Sequence, residues 1–385
     1  ILLSYLCFIK KIMKIILYLV LIISFSFKSL FALDTLATHA IVYDHKTKDI
    51  LFEKNSNIRT SPASMTKIMT AYIIFDLIKN GNLKLDEKFI VSEKAYKKGG
   101  SRMFVELNSK VTIKDLLYGV IVQSGNDASI VLAENISVTE SGFADLMNEY
   151  AKKIGMKNTN FVNSSGWPHP NHYSTMYDLA VLSSAIINDF PSLYKIFAKE
   201  EFTYNKIKQP NRNSLLKHYE GVDGLKTGYV KDSGYGNVIS SLKDDRRIIL
   251  VVNGLESSKS RVSESEKLLN WAYRHTKHTI LFSKGQIITS SDMWLGKENK
   301  VDLISGEELL TTLSSNQEKN IKAKLVYEKP IIAPVKANQQ VGKIVVNIAD
   351  KETIEIPLLA KNSIKRVNPI IRIFSALNYL IFGNI

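Results

Sequence analysis

YGNVISSLKDDRRIILVVNG, residues 235–254, decides the fold class of this chain. Two runs of strand-forming residues, Tyr235–Ser241 and Arg247–Gly254, flank a polar turn at Lys243–Asp245, which is the pattern of a β-hairpin. A second alternating pair, Ala40–Asp44 and Ile50–Glu53, reads the same way near the other end of the region. Between the hairpins the apolar period lengthens to that of helices. The run Met65–Ile78 follows Ser61-Pro62, an expected N-cap with proline at the first helical position, and stops at Asn80-Gly81. Ile113–Val122 and Phe143–Ile154 are further helical stretches. A Pro/His/Gly loop covers Asn163 to Ser174, and a helix from about Ser263 to Arg274 closes the region. The order hairpin, helices, hairpin, helix predicts an α+β fold, an antiparallel β-sheet flanked by helices.

Outside this region the texture changes twice. From about Lys277 to Leu359 short apolar segments alternate with Gly, Asn and Lys turns, which predicts a small all-β domain. The tail Asn368–Ile385 sets Ile370, Ile373, Phe374, Leu377 and Ile381 on one face and Arg372, Ser375 and Asn378 on the other. With Lys361, Lys365 and Arg366 beside it, that pattern predicts an amphipathic helix lying in a membrane interface. At the other end, residues 1 to 33 carry four lysines and no acid, and Ile15–Phe27 is almost wholly apolar. This is the n-region and h-region of a signal peptide, with Met13 a plausible initiator and cleavage expected after Ala32. The expected division is 1–32 leader, 33–276 sheet-and-helix domain, 277–360 β-rich domain and 361–385 anchoring helix. A length of 385 residues with 45% apolar and 23% charged side chains suits such a multidomain globular protein.

Removing the leader leaves 47 basic and 37 acidic residues, a net charge of +10. The single cysteine, Cys7, leaves with it, so no disulfide or thiolate metal site is expected. A basic exported protein is drawn to anionic lipid or an anionic wall polymer. No nucleic-acid-binding motif is present, so nucleic acid is not an expected partner.

Chemistry enters at Ser64-Met65-Thr66-Lys67. At a helix start, positions i and i+3 share a face, so the Lys67 amine can reach the Ser64 hydroxyl and act as its base. The same Ser-x-x-Lys spacing also begins at Ser192, Ser214 and Ser240, and most such patterns are solvated helix surface. Two single-copy triplets distinguish Ser64. Ser124-Gly125-Asn126 follows the apolar stretch Leu116–Val122, and Lys226-Thr227-Gly228 precedes the second hairpin. Each alone is turn or strand-edge chemistry. Together they lie 60 and then 102 residues downstream, in the order used by penicillin-recognising serine enzymes.

The chain therefore resembles the low-molecular-mass penicillin-binding proteins, the serine-type D-alanyl-D-alanine carboxypeptidases. The likeness extends to Pro62–Thr70, Gln123–Ala128, Asn211–Leu216 and Gly221–Gly228, and it spans about Leu36 to Arg274. The β-rich region and the tail resemble the family's second domain and membrane-anchoring helix. The resemblance implies no cofactor and no metal. Its substrate would be a peptidoglycan stem peptide ending in D-Ala-D-Ala, and β-lactam antibiotics would acylate the same serine. Its location would be the periplasmic face of the cytoplasmic membrane, attached peripherally.

Under that resemblance Ser64 is the nucleophile, Lys67 the base, and Ser124 the relay of a proton to the departing amine. Asn126 would hold Lys67 and the substrate amide, while Lys226 and Thr227 would bind the terminal carboxylate. Burial and a second cation, with Lys226 the expected neighbour, would keep Lys67 neutral. The oxyanion pocket would use the backbone N–H groups of Ser64 and Tyr229, beside Gly228. Arg212 and Arg247 are candidates for steering the carboxylate, the alternative being surface ion pairing. Val230 departs from the family, many of whose members carry a hydroxyl residue there that helps hold the carboxylate.

Three rivals are weighed on residues. A serine β-lactamase needs a base for fast deacylation, and Phe161–Tyr177 contains no Asp or Glu. A non-catalytic scaffold on the same fold would not need Ser64, Lys67, Ser124, Asn126 and Lys226 all intact. A metal hydrolase would need more than His169 and His172, which lack a glutamate in zinc-binding spacing.

Overall fold

The computed structural model describes residues 33–382, so the expected leader lies outside the described residues. Residues from Ala37 onward form one compact unit. Strands β1 (His39–Asp44) and β2 (Ile50–Lys54) make the first hairpin, pairing Val42 with Phe52 and bulging at the next step. A 3₁₀ turn, Ala63–Thr66, leads into helix α1 (Lys67–Lys79). Three further long helices follow, α2 (Asn126–Ser137), α3 (Glu140–Ile154) and α4 (Met176–Asp189). Strands β3 (Val222–Val230), β4 (Gly234–Lys243) and β5 (Arg246–Leu255) then complete a sheet in the order β2-β1-β5-β4-β3, antiparallel throughout. Helix α5 (Ser258–His275) closes this part.

The local chemistry explains most of these boundaries. Asp244 and Asp245 both take positive φ (48° and 58°), the mirror-image turn that matches strand twist in a tight hairpin. Ile68, Met69, Ala71, Ile73, Ile74 and Phe75 of α1 are all fully buried, so this helix is enclosed on every side as far as Phe75 and emerges only in its last turn. Asn80 and Gly81 end it as expected, Gly81 at φ 76°. Three expectations are corrected. Ser61 does not cap α1: its carbonyl accepts instead from Ser233 Oγ and Asn253 Nδ2 (both 3.2 Å), which fastens it to the sheet. The helical stretch from Ile113 is α-helical only to Tyr118 and continues as a π turn over Gly119–Gln123. Helix α5 starts five residues early, because Ser257 and Ser260 form a reciprocal capping box inside a serine-rich segment.

The β-rich region comprises β6 (Thr276–Phe282), β7 (Ile287–Trp294), β8 (Lys300–Ser305), β9 (Leu309–Ser314), β10 (Lys322–Tyr327), β11 (Ile331–Ile332), β12 (Gln340–Asn347) and β13 (Ile354–Ala360). Strands β6 and β9 pair by themselves, and the rest form a sheet in the order β10-β12-β13-β8-β7-β11 around Leu303, Ile344, Val346 and Leu358. Polar contacts join this region to the first hairpin. Asp49 accepts from Thr311 Oγ1 (3.0 Å) and Thr312 N (2.6 Å) and pairs with Lys351 at 2.7 Å. Buried Asp44 accepts from Arg246 Nε at 2.9 Å and meets His278 Nε2 at 3.0 Å. Burial alone would raise the Asp44 carboxyl, but the hydrogen bonds from Arg246, His278 and the Thr47 backbone hold it below its ordinary value.

The chain ends in α6 (Pro369–Phe382), opened by Asn368 Oδ1 accepting from Ile371 N at 2.9 Å. Ile370, Ile373, Phe374, Leu377 and Ile381 are all exposed. Among the described residues no helix is long and apolar enough to cross a membrane.

Candidate active site

A cleft of about 710 Å³ opens where the 3₁₀ turn of Ser64, the Ser124 turn, strand β3 and the Asn163–Ser174 loop converge. Two glycines allow that approach. A Cβ on Gly166 (φ 77°) would sit 1.7 Å from the Ala63 carbonyl oxygen, and one on Gly228 would sit 3.0 Å from the Pro62 carbonyl oxygen. The backbone is strained just before Ser64 and at Ser124. Ala63, just before Ser64, has φ 47°, and Ser124 has φ 67°, ψ 33°, immediately after the π turn. Non-glycine residues in this region cost on the order of 1–3 kcal/mol each and cluster where a side chain must be aimed.

The centre of the site is Lys67. Its Nζ lies 3.0 Å from Ser64 Oγ, 2.8 Å from Asn126 Oδ1 and 2.6 Å from the Ser165 carbonyl oxygen. The Asn126 amide is oriented by its own Nδ2, which donates to Gly99 O at 3.0 Å. Two of the three Lys67 partners can therefore only accept. A neutral amine has two hydrogens and one lone pair; the hydrogens go to Asn126 and Ser165, and the lone pair is left facing Ser64. A protonated amine would instead spend its third hydrogen on Ser64 Oγ and block the transfer.

Electrostatics favour the neutral form. Complete burial, with Arg212 and Lys98 as the contributing cations, lowers Lys67 to about 7, against opposing pulls from Asp127 and Glu140. Lys226, the expected neighbour, adds a reciprocal repulsion between the two buried amines. It is itself fully buried and driven well below its ordinary value, first by desolvation and then by the charges of Lys67, Arg212 and Arg261. Its Nζ donates to the Thr227 carbonyl at 3.1 Å, behind the wall formed by Thr227, Gly228 and Tyr229.

Of the sequence-predicted residues, Ser64, Ser124, Asn126, Arg212, Thr227, Gly228 and Tyr229 line this one cleft, and Val230 lines it too. Arg247 does not. It is directed across the sheet to Asp223 Oδ1 at 2.8 Å and to Ser240 Oγ, beside Tyr194, so the ion-pairing alternative holds for it. Two cleft-lining cations are missing from the sequence reading, exposed Lys231 and, in the first turn of α5, buried Arg261. Arg261 lines the cleft, is 8% exposed, and lies over the Tyr235 ring at 5.7 Å, which in turn packs on Tyr229 at 4.3 Å. Its Nη2 donates to Ser258 Oγ at 3.1 Å, while its Nε has no protein acceptor. No motif marks Arg261; only its burial in the cleft wall does.

The Asn163–Ser174 loop contributes through its backbone and through His172. That imidazole accepts from Val162 N at Nδ1 (3.1 Å), so its Nε2 carries the hydrogen and donates to Thr66 Oγ1 (2.8 Å). Burial lowers it to about 4, and it stays neutral. His169 only caps its own turn, accepting from Asn171 N at 3.1 Å. Among the described residues no group of three or more His, Cys, Asp or Glu side chains could hold a metal ion. None of the cleft-lining side chains is a carboxylate. The nearby Asp127 accepts from the backbone N–H groups of Met103, Phe104, Val105 and Ala128, and Glu140 holds Ser164 and Lys94.

Comparison with known proteins agrees with this geometry. Residues 27–257 match the Peptidase S11 family, D-alanyl-D-alanine carboxypeptidase, and residues 277–366 match the C-terminal domain of penicillin-binding protein 5. The D-alanyl-D-alanine carboxypeptidase DacC of Escherichia coli strain K12 is 37% identical over 333 residues, covering 84% of this chain and 83% of that protein. The crystal structure of the D-alanyl-D-alanine carboxypeptidase DacD of Francisella tularensis superposes with a TM-score of 0.77 at 33% identity, over 87% of this chain and 95% of that one. Penicillin-binding protein D2 of Listeria monocytogenes, in a cefotaxime-bound form, gives a TM-score of 0.59 at 29% identity over 63% of this chain and 99% of that one. This chain belongs to the D-alanyl-D-alanine carboxypeptidase family of serine peptidases.

Proposed function

We propose that this protein removes the terminal D-alanine from peptidoglycan stem peptides ending in D-Ala-D-Ala, through an acyl-enzyme on Ser64. The observation that carries the reading is the Lys67 amine, held by two obligate acceptors so that its lone pair faces Ser64 Oγ. Ser64 Oγ attacks the carbonyl between the two alanines, and its proton passes to Lys67 Nζ. The oxyanion that forms is stabilised by the Ser64 and Tyr229 backbone N–H groups. The C–N bond then breaks, with Ser124 delivering a proton to the departing D-alanine amine and recovering one from Lys67. Water attacks the remaining ester and returns Ser64 to its hydroxyl form.

Recognition of a free C-terminus follows from the cationic end of the cleft. Thr227 supplies a hydroxyl, Arg212 and Arg261 supply guanidinium groups, and Lys226 lies behind them. An internal peptide bond offers no carboxylate to this end. Arg261 also answers the departure at Val230, since a buried guanidinium replaces the hydroxyl donor that Val230 lacks. A β-lactam carries an equivalent carboxylate next to its reactive carbonyl, and its acyl-enzyme would persist because the expelled ring amine stays tethered in the cleft where D-alanine would have left, and no carboxylate lines the cleft to activate a water past it.

The same reading places the protein outside the cytoplasmic membrane, exported by its basic and apolar leader. It would be held peripherally at the periplasmic face by the exposed apolar side chains of α6. Intact-mass spectrometry tests the function. Benzylpenicillin should add its mass once to the parent and not to Ser64→Ala, and a tripeptide ending in D-Ala-D-Ala should release D-alanine with the parent only. An unchanged adduct on Ser64→Ala would overturn the nucleophile. Rapid catalytic loss of a chromogenic cephalosporin would favour a β-lactamase.

A further inference from the structure

We propose that Asn163 is a positioning residue for acylation: its carboxamide fixes the direction of the Ser165 carbonyl, and through it the direction of the Lys67 lone pair. The inference rests on the acyl-enzyme reading above and adds a residue that never touches the substrate.

The geometry begins one turn away from the chemistry. Asn163 Oδ1 accepts from three successive backbone N–H groups, Ser165 (3.2 Å), Gly166 (2.8 Å) and Trp167 (2.9 Å), and from Ser165 Oγ (3.3 Å). Its Nδ2 donates to the Trp167 carbonyl at 2.9 Å. One side chain thus gathers both ends of a four-residue turn. With those N–H groups turned inward, the carbonyls of Ser164 and Ser165 point outward onto α1, to Thr70 Oγ1 at 2.7 Å and Lys67 Nζ at 2.6 Å. Lys67 and Thr70 are one helical turn apart, so the two carbonyls fit a single face of α1.

The consequence concerns hydrogens. If the Ser165 carbonyl rotates away, Lys67 keeps one fixed acceptor, Asn126, and its second hydrogen is free to go to Ser64 Oγ. The amine then offers Ser64 a donor where the reaction needs an acceptor. Other contacts of the loop are made without the Asn163 side chain. Gly166 still abuts Ala63, His172 still donates to Thr66, and Glu140 still accepts from Ser164 N (3.2 Å) and Oγ (2.9 Å). Substituting Asn163 should therefore redirect a carbonyl without unfolding the loop.

Charges around Lys67 give the test its sign. The base faces Asp127 on α2, Glu140 on α3, Lys98, Arg212, Lys226 on β3 and neutral His172. None of these changes when Asn163 is replaced. Losing the negative end of the Ser165 carbonyl dipole disfavours the ammonium form, so the midpoint for acylation moves to lower pH in Asn163→Ala. Asn163→Asp keeps an acceptor for the three N–H groups and adds a negative charge, so its midpoint moves to higher pH.

The experiment is the rate of acylation by a fluorescent penicillin between pH 5.5 and 9 for the parent and both variants, with circular dichroism as a check of folding. Asn163→Ala should lose about 10–10² in plateau rate, the scale of a small misplacement in an active site. Its midpoint should fall below that of the parent. Asn163→Asp should keep a plateau within a few-fold of the parent and shift its midpoint upward. Midpoints that stay put in both variants, or that move in the same direction, overturn the proposal; a fall in plateau alone is what a loosened loop would give. A parent that forms no penicillin adduct indicts the functional reading instead.

Discussion

Lys67 should impose its own titration on the reaction. At its depressed value of about 7, the neutral fraction is near one in eleven at pH 6 and ten in eleven at pH 8. The second-order rate of acylation by benzylpenicillin should therefore rise about tenfold between those pH values and flatten above pH 8. An ordinary lysine, at 10.5, would still be rising steeply at pH 9. The depression corresponds to roughly 5 kcal/mol between the charged and neutral forms, and complete burial is its first cause. Replacing Arg212 by Met removes the cation that contributes most, so the midpoint should move upward in that variant. Stopped-flow or quenched-gel measurement at constant ionic strength from pH 5.5 to 9 reads the whole curve. A flat profile, or one that climbs through pH 9 without a plateau, would refute neutral Lys67 as the base. A midpoint that falls in Arg212→Met would refute the electrostatic account.

The remaining expectations use stability and binding. The folded state holds the Lys67 proton less tightly than the unfolded chain, so this group destabilises the fold fully below about pH 7 and progressively less up to 10.5. Lys67→Met should accordingly be more stable than the parent at pH 6 in chemical denaturation, by up to about 5 kcal/mol, with the gap shrinking as pH rises; a variant less stable at pH 6 contradicts this. Arg261→Met should raise KM for a D-Ala-D-Ala tripeptide by roughly 10–10²-fold, the worth of hydrogen bonds to a charged group, with only a small change in melting temperature, because the loss of the Nη2 bond to Ser258 and of the Tyr235 contact is offset by removing a buried Nε that has no protein acceptor. A much lower melting temperature with unchanged KM would make Arg261 structural. Gly166→Ala must move the loop off Ala63 and strain φ 77°, so a loss of at least about 1 kcal/mol in thermal melts is expected together with slower acylation; parent-like behaviour in both would refute the contact. A chain ending at Ala360 lacks α6 and should remain in the supernatant when mixed with anionic vesicles, whereas persistent sedimentation contradicts the anchor.

Residue spacing carried a great deal. Ser64, Lys67, Ser124, Asn126 and Thr227 are separated by up to 163 positions and still lie around one cleft, because their triplets report side-chain chemistry directly. Both hairpins and the closing helix were legible from periodicity and turn residues. What escaped has physical reasons. The second acceptor for Lys67 is a backbone carbonyl, and a carbonyl leaves no trace in residue identity. Arg261 follows a run of serines whose capping role was hidden, so neither the helix start nor the direction of its side chain could be read. Arg247 was left between two readings, and ion pairing prevails because strand alternation puts it on a face of the sheet where Asp223 and Ser240 hold it. Ser61 has the composition of a cap, but its carbonyl is claimed by the sheet before a helix can use its side chain.

Strand β3 is an edge of the five-stranded sheet, and open edges invite pairing with other chains. Here Gly224 to Gly228 are buried, with Gly224 against Tyr194 and Phe197 and Gly228 against Pro62, Ala63 and Met65. Exposure begins at Tyr229 and continues into charged Lys231. The turn that carries the nucleophile thus doubles as a guard against aggregation. It covers the Gly228 end of a strand that could otherwise recruit a neighbour, Tyr194 and Phe197 cover the Gly224 end, and only the short stretch bordering the cleft is left uncovered. Loosening that turn to widen the site would therefore endanger solubility as well as catalysis.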